Sequence, residues 1–256
     1  MKANAFLFGP FVGELCWEFF RFAPYAIYLK KHHPGSRLIV LTRPSRFDLY
    51  GQYADIIVPL RLKNDSVLER DSFKLTGYKE ENYYTIAKYF KQKFRKRYNI
   101  VKHSYPDVRM WRYKVKWQFP RDKMDYDFKP RKSNIELASR ALRNKKGIVD
   151  NTATKKKIIR EDIIDSIDLA CRITNFVDDI KSTTLGCMIE CLKSVEFVIG
   201  DIRSDTSHLA LLLGTPLIHV GKPIKEDFVK LANPLNTPLF VSDTIEQGIE
   251  IYENNI

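Results

Sequence analysis

Three short apolar runs recur near the amino end: "NAFLF" at residues 4–8, "RLIVLT" at 37–42 and "ADIIVP" at 54–59. Tight hairpin turns cannot bridge intervals of that length, but helices can. The pattern therefore predicts parallel strands with helices packed on the sheet faces. The first interval supplies such a helix over about residues 15–32, with Leu15, Phe19, Phe22, Ala26 and Leu29 near helical spacing and "HHPGS" ending it. "PSRFDLYGQY" predicts a short helix before the third run.

Residues 61–130 interrupt the alternation with Lys, Arg and aromatic residues, and "EENYYTIAKYFKQKFRKRY" predicts a helix within them. After residue 133 the alternation returns. "NIELASRALRNKKG" predicts a helix, "GIVD" a strand, "REDIIDSIDLACRI" a helix, "TLGCMIECLKS" a helix and "VEFVIGD" a strand. "SHLALLLG" then predicts a short helix, "PLIHVG" and "LFVSD" strands, and "TIEQGIEIYENN" a terminal helix. The expected fold is α/β with two Rossmann-like halves. Residues 1–130 form one half, with a basic, partly helical insert over about 61–130, and residues 131–256 form the other. The second half reads as short of a strand or two. A chain of 256 residues, 44% hydrophobic, can bury one large core or two small ones.

The charge lies unevenly. Residues 61–160 hold 29 Lys and Arg against 11 Asp and Glu, while the remainder holds 14 against 20. No run of eighteen apolar residues offers a membrane span. The early Glu14 and Glu18 make the amino end a core strand and helix rather than a signal peptide. Cys16, Cys171, Cys187 and Cys191 show no metal or disulfide spacing, so a reducing, cytoplasmic setting is expected.

One polar knot stands between two segments that should be buried, in "VEFVIGDIRSDTSHLALLLGTPLIHVGKP" at residues 195–223. In an open parallel sheet ligands bind beyond the carboxyl ends of the strands, where helix N-termini point. Ser204, Asp205, Thr206 and Ser207 are all capable helix caps, and free N–H groups at that end favour a phosphate. Arg203 and His208 add charge or donors, and Asp201 stands at the strand end. Ordinary capping of a core helix accounts for the same residues.

This stretch resembles the C-terminal signature of the lipopolysaccharide heptosyltransferase family, a strand followed by D-S-G-x-x-H-L-A, a helix and G-x-P. Ser204, His208, Leu209, Ala210, Gly214 and Pro216 match it. Asp205 stands in place of the family's Gly and Arg203 in place of its Asp, a carboxylate that Asp201 can supply from a shifted loop. The resemblance implies a GT-B glycosyltransferase whose turn Asp201–His208 holds the diphosphate of a nucleotide-sugar. It extends to residues 3–60, where Gly13-Glu14 falls on the family's Gly-Asp and implies Glu14 as general base. An inverting transfer needs such a carboxylate to take the acceptor hydroxyl's proton. As a bland alternative, Glu14 and Glu18 complement a helix N-terminus, and Glu18 is spaced to pair with Arg21 on a surface.

The family's Thr and Lys contacts to donor phosphates imply the same role for Thr154 and Lys155, in a loop that also reads as solvated. Residues 88–121 hold twelve Lys and Arg, one Asp and nine aromatics. Interleaved cations and rings suit a polyanion with stackable bases. Gly13, Trp17, Lys93, Arg95, Arg97, Trp111 and Arg112 are therefore the expected acceptor-side residues. The combination resembles phage enzymes that transfer sugars to hydroxylated pyrimidines in DNA. A glycolipid or cell-surface glycan acceptor, with the patch facing anionic lipid, is the alternative, as is a non-catalytic nucleic-acid-binding protein on the same fold. Asp125-Tyr126-Asp127 forms a D-x-D, read here as a charge-balanced turn among Lys123, Lys129 and Arg131. No metal or cofactor is expected beyond the nucleotide-sugar co-substrate.

Overall fold

The computed structural model describes residues 2–11, 15–60, 80–105, 120, 122–130, 133–142, 145–150, 168–172 and 184–256. The chain divides into two compact units, Met1–Arg131 and Lys132–Ile256.

In the first unit β1 (Asn4–Phe8), β2 (Arg37–Thr42), β3 (Ile56–Pro59) and β4 (Asn99–Ser104) form a parallel sheet in the order β3-β2-β1-β4. Alternate residues of each strand face opposite sides. Ala5, Leu7, Ile39 and Leu41 pack with Phe90 and Phe94 of the helix Glu80–Arg95. On the other side Phe8 meets Phe22 and Tyr25, with ring centroids 5.2 and 6.0 Å apart. The Leu15–His32 segment is not one regular α-helix. Leu15–Trp17 and Ala23–His32 are α-helical, and Glu18–Phe22 between them is a π-helical turn whose five residues are all buried.

The expected basic insert is corrected over residues 80–104. That stretch is a helix and a strand of the sheet itself, because its apolar side chains fill the core beneath β1 and β2. The cations of the stretch face outward, beside exposed Tyr89 and Val101. Residues 122–130 return across the first unit. The Asp125 N–H donates to Pro24 O and the Tyr126 hydroxyl to Phe20 O, and Phe128 is fully buried.

In the second unit β5 (Gly147–Asp150), β6 (Leu169–Arg172), β7 (Phe197–Gly200), β8 (Leu217–Val220) and β9 (Leu239–Ser242) form a parallel sheet in the order β6-β5-β7-β8-β9. Two expectations change here. "LACR" is a strand rather than the end of a helix, and it makes a fifth strand beside the four expected. Cys187 and Cys191 are buried free thiols on the helix Leu185–Ser194.

Candidate functional site

Parallel pairing sets Asp150, Gly200 and His219 side by side at the carboxyl edge of β5, β7 and β8. The chain then turns through residues 201–204 into the helix Asp205–Leu212. Ser204 caps that helix. Its Oγ accepts from the Ser207 N–H at 3.0 Å and donates to Oδ2 of buried Asp150 at 2.5 Å. Gly200 allows the close fit. A Cβ there would lie 3.0 Å from Ser207 Oγ and 3.1 Å from Asp150 O, so a larger residue would push the helix away from β5.

The knot therefore separates into two sets. Ser204, Thr206 and Ser207 are buried and build the turn. Arg203 is exposed and Asp205 half-buried near Asp201, while the ring nitrogens of His208 are buried. Asp201 Oδ1 accepts from the Arg203 backbone N–H and from its Nε, both at 2.9 Å, while the Arg203 side chain stays 58% exposed. The expectation that His208 adds charge is corrected. Burial lowers its pKa to about 4 against a smaller opposing pull from Asp201, so at neutral pH it is an uncharged ring. With carboxylates at Asp201 and Asp205, residues 201–208 carry a single cation, Arg203. A phosphate there would be held mainly by backbone N–H groups and the helix end.

Two residues outside the sequence reading hold this edge together. His219 is fully buried. Its Nδ1 lies 3.3 Å from the Ile202 nitrogen and 3.4 Å from Gly200 O, and its Nε2 lies 3.1 Å from Lys222 O. One ring thus ties the turn after β7 to the loop after β8, where Lys222 is exposed. Asp150 anchors the cap from the other side. The signal for Lys222 was legible as a strand ending in Gly-Lys; for His219 and Asp150 there was none short of the strand register.

The depressed His208 pKa has a measurable consequence. Unfolded, the imidazole titrates near 6.5; folded, near 4. Between those values the unfolded chain binds more protons, so stability falls as pH drops through this window, by about 3 kcal/mol at full extent. His208→Gln should remove that part of the loss in urea unfolding at pH 7 and pH 4.5. An unchanged pH dependence would rule out a buried neutral ring.

Gly13 and Glu14 lie outside the described residues, and Trp17 is half-buried just before the π-helical turn. Glu18 is not the surface partner of Arg21. It is fully buried and pairs with Arg46, whose Nη1 donates at 2.9 Å; Thr42 Oγ1 and the Tyr50 hydroxyl donate at 2.6 and 2.7 Å. The π-helical turn directs Glu18 inward toward the end of β2 and the 3-10 turn Pro44–Leu49. Burial, then the Glu18 charge, raises the Tyr50 phenol well above its usual range, so it remains a donor.

Thr154, Lys155, Trp111 and Arg112 also lie outside the described residues. Lys93, Arg95 and Arg97 are exposed on the helix Glu80–Arg95 and its exit turn, in the first unit. The D-x-D carboxylates are occupied by lysine. Lys31 Nζ lies 2.8 Å from both Asp125 and Asp127, Lys129 adds a contact to Asp127, and the Tyr53 hydroxyl donates to Asp127. Among the described residues no group of three His, Cys, Asp or Glu side chains could hold a metal ion, and no helix is long and apolar enough to cross a membrane.

Two units, each a parallel sheet flanked by helices, make two Rossmann-like halves, and solved glycosyltransferase structures of GT-B-like fold match the chain. The E. coli ADP-heptose LPS heptosyltransferase II matches with a TM-score of 0.53 at 11% identity, over 93% of this chain and 90% of that one. The family 9 glycosyl transferase from Veillonella parvula DSM 2008 matches with a TM-score of 0.50 at 10% identity, over 99% and 91%. At such identity the shared property is the fold. No protein-family model matches the chain, and no curated protein matches it.

Proposed function

We propose that this protein is a cytoplasmic glycosyltransferase that moves a sugar from a nucleotide-sugar donor to an anionic acceptor. The observation that carries the reading is the capped turn Asp201–His208. It carries the heptosyltransferase-like residues Ser204 and His208 at the carboxyl edge of a sheet, in a chain that shares the fold of a heptosyltransferase along most of its length. In this reading the donor diphosphate sits against the N–H groups of the Asp205–Leu212 helix. Arg203 and Lys222 are exposed cations in the same unit, and Thr154 and Lys155 complete the grip. Glu14 takes the acceptor hydroxyl's proton as the new C–O bond forms at the anomeric carbon. The bond to the diphosphate breaks with its electron pair leaving on the diphosphate, where the helix end stabilises the charge. The chemistry is inverting and needs no metal.

Two acceptors are proposed. The cation-rich helix of the first unit suits a polyanion, in this reading DNA carrying hydroxylated pyrimidines. The E. coli neighbour, an LPS enzyme, favours a heptosyltransferase-like role in cell-surface glycan assembly.

A panel of nucleoside diphosphates tests the donor assignment by thermal unfolding, with and without chelator. A true donor nucleotide at a hundredfold excess over its Kd should stabilise the protein by about 2.7 kcal/mol, with chelator making no difference. No stabilisation by any member would remove the transferase reading and leave a binding protein on a transferase fold.

A further inference from the structure

The helix Glu80–Arg95 uses its apolar side entirely for the sheet: Ala87, Phe90 and Phe94 are buried. Its outer side is left to Lys88, Lys91, Lys93 and Arg95, and the exit turn adds Lys96 and Arg97, all exposed. Among the described residues no carboxylate is within salt-bridge distance of any of the six. Lys88, Lys91 and Arg95 recur at the spacing of one helix face, over about 10 Å of rise. Tyr89, 66% exposed, stands on the adjoining face, one turn before Lys93.

Helix capping does not require this charge, because Lys2 Nζ already donates to Arg95 O at 2.9 Å. Holding six like charges together on one element raises its self-repulsion, which a polyanion would relieve. A bilayer is the poorer match. An interfacial helix buries an apolar face among lipid chains, and this helix has spent its apolar face on the protein core. A strand of nucleic acid needs only cations along a track and an exposed ring on which a base can stack.

We infer that the outward face of Glu80–Arg95 and its exit turn is a docking surface for single-stranded nucleic acid, with Tyr89 as the stacking platform. Its use in sugar transfer rests on the DNA reading of the acceptor, but the contact itself is read by binding alone.

The test is fluorescence anisotropy of a labelled twenty-nucleotide oligothymidine, titrated with the full chain at several salt concentrations between about 50 and 200 mM, a range in which phosphate contacts are strongly salt-dependent. The triple variant Lys88→Gln, Lys93→Gln, Lys96→Gln should flatten the slope of log affinity against log salt by about 2, the loss of three single-strand phosphate contacts. Tyr89→Ala should weaken binding about tenfold and leave the slope unchanged, because stacking releases no counterions. A control triple on exposed lysines of the second unit, Lys146→Gln, Lys225→Gln, Lys230→Gln, should leave the slope as it was. Equal flattening by both triples would reduce the effect to net charge and overturn the proposal. So would failure to bind the oligomer alongside capture by phosphatidylserine vesicles that the helix triple abolishes. Helix-dependent binding without sugar transfer to DNA would sustain the docking face and remove DNA as the acceptor. Transfer to a glycan with no helix-dependent oligomer binding would remove the docking face alone.

Discussion

Glu18→Ala is expected to destabilise the first unit by about 3–5 kcal/mol, the usual cost of removing one partner from a buried ion pair. The carboxylate is the acceptor for Arg46, Thr42 and Tyr50 together, in a site closed to water. Without it a guanidinium and two hydroxyls lose that buried acceptor. Glu18→Gln, which keeps an amide oxygen in place, should cost less. Glu18→Leu combined with Arg46→Met should recover much of the loss, since an apolar pair of similar volume needs no compensation. All three tryptophans, Trp17, Trp111 and Trp117, lie in the first unit, so urea unfolding followed by tryptophan fluorescence reports on that unit. A loss below about 1 kcal/mol for Glu18→Ala, the range of exposed pairs, would mean that the carboxylate is reached by water and that the network is not a core element.

Glu14→Gln, four residues away, should behave in the opposite manner. The variant should fold as the parent does and bind the donor nucleotide unchanged, while transfer falls by about 10²- to 10⁴-fold, the range supplied by a positioned general base. That loss equals roughly 3–5 kcal/mol of transition-state stabilisation. Single-turnover transfer measured beside nucleotide binding separates the outcomes. Retained turnover with lost nucleotide binding would refute the assignment of Glu14 as base. The pair of variants is informative because the two glutamates lie only four residues apart in the chain. One should change stability and the other rate.

Most elements could be read from sequence because each carries its own period. Among the described residues, apolar runs of four to six residues mark seven of nine strands, and Thr184, Ser204 and Thr244 cap helices with their own side chains. The two strands misread have a physical reason. "NIVKHS" is an edge strand, β4, whose Val101 is 54% exposed and whose Lys102 reaches back to the Tyr25 hydroxyl, so its pattern is neither alternating nor wholly apolar. "LACR" is too short to be told from a helix turn within "REDIIDSIDLACRI", because periodicity over four residues does not distinguish them.

The candidate site divides along the same line. The cap at Ser204, the helix behind it and the cations on Glu80–Arg95 follow from residues near one another in the chain, and local chemistry was enough to find them. Which of those residues face solvent was not local. Thr206 and Ser207 went inward because the helix packs tightly over Gly200, and His208 lost its charge because burial penalises an imidazolium. The partnership of Asp150 with Ser204 spans 54 residues, that of His219 with the turn 17, and that of Glu18 with Arg46 28. Each depends on strand register or on a π-helical turn that rotates one side chain toward the core. Sequence alone determined the alternation of strands and helices and the chemical types available at each strand end. Tertiary structure alone decided which charges are paired, which are buried and which remain free to meet a ligand, because desolvation and pairing depend on neighbours that only the folded sheet brings together.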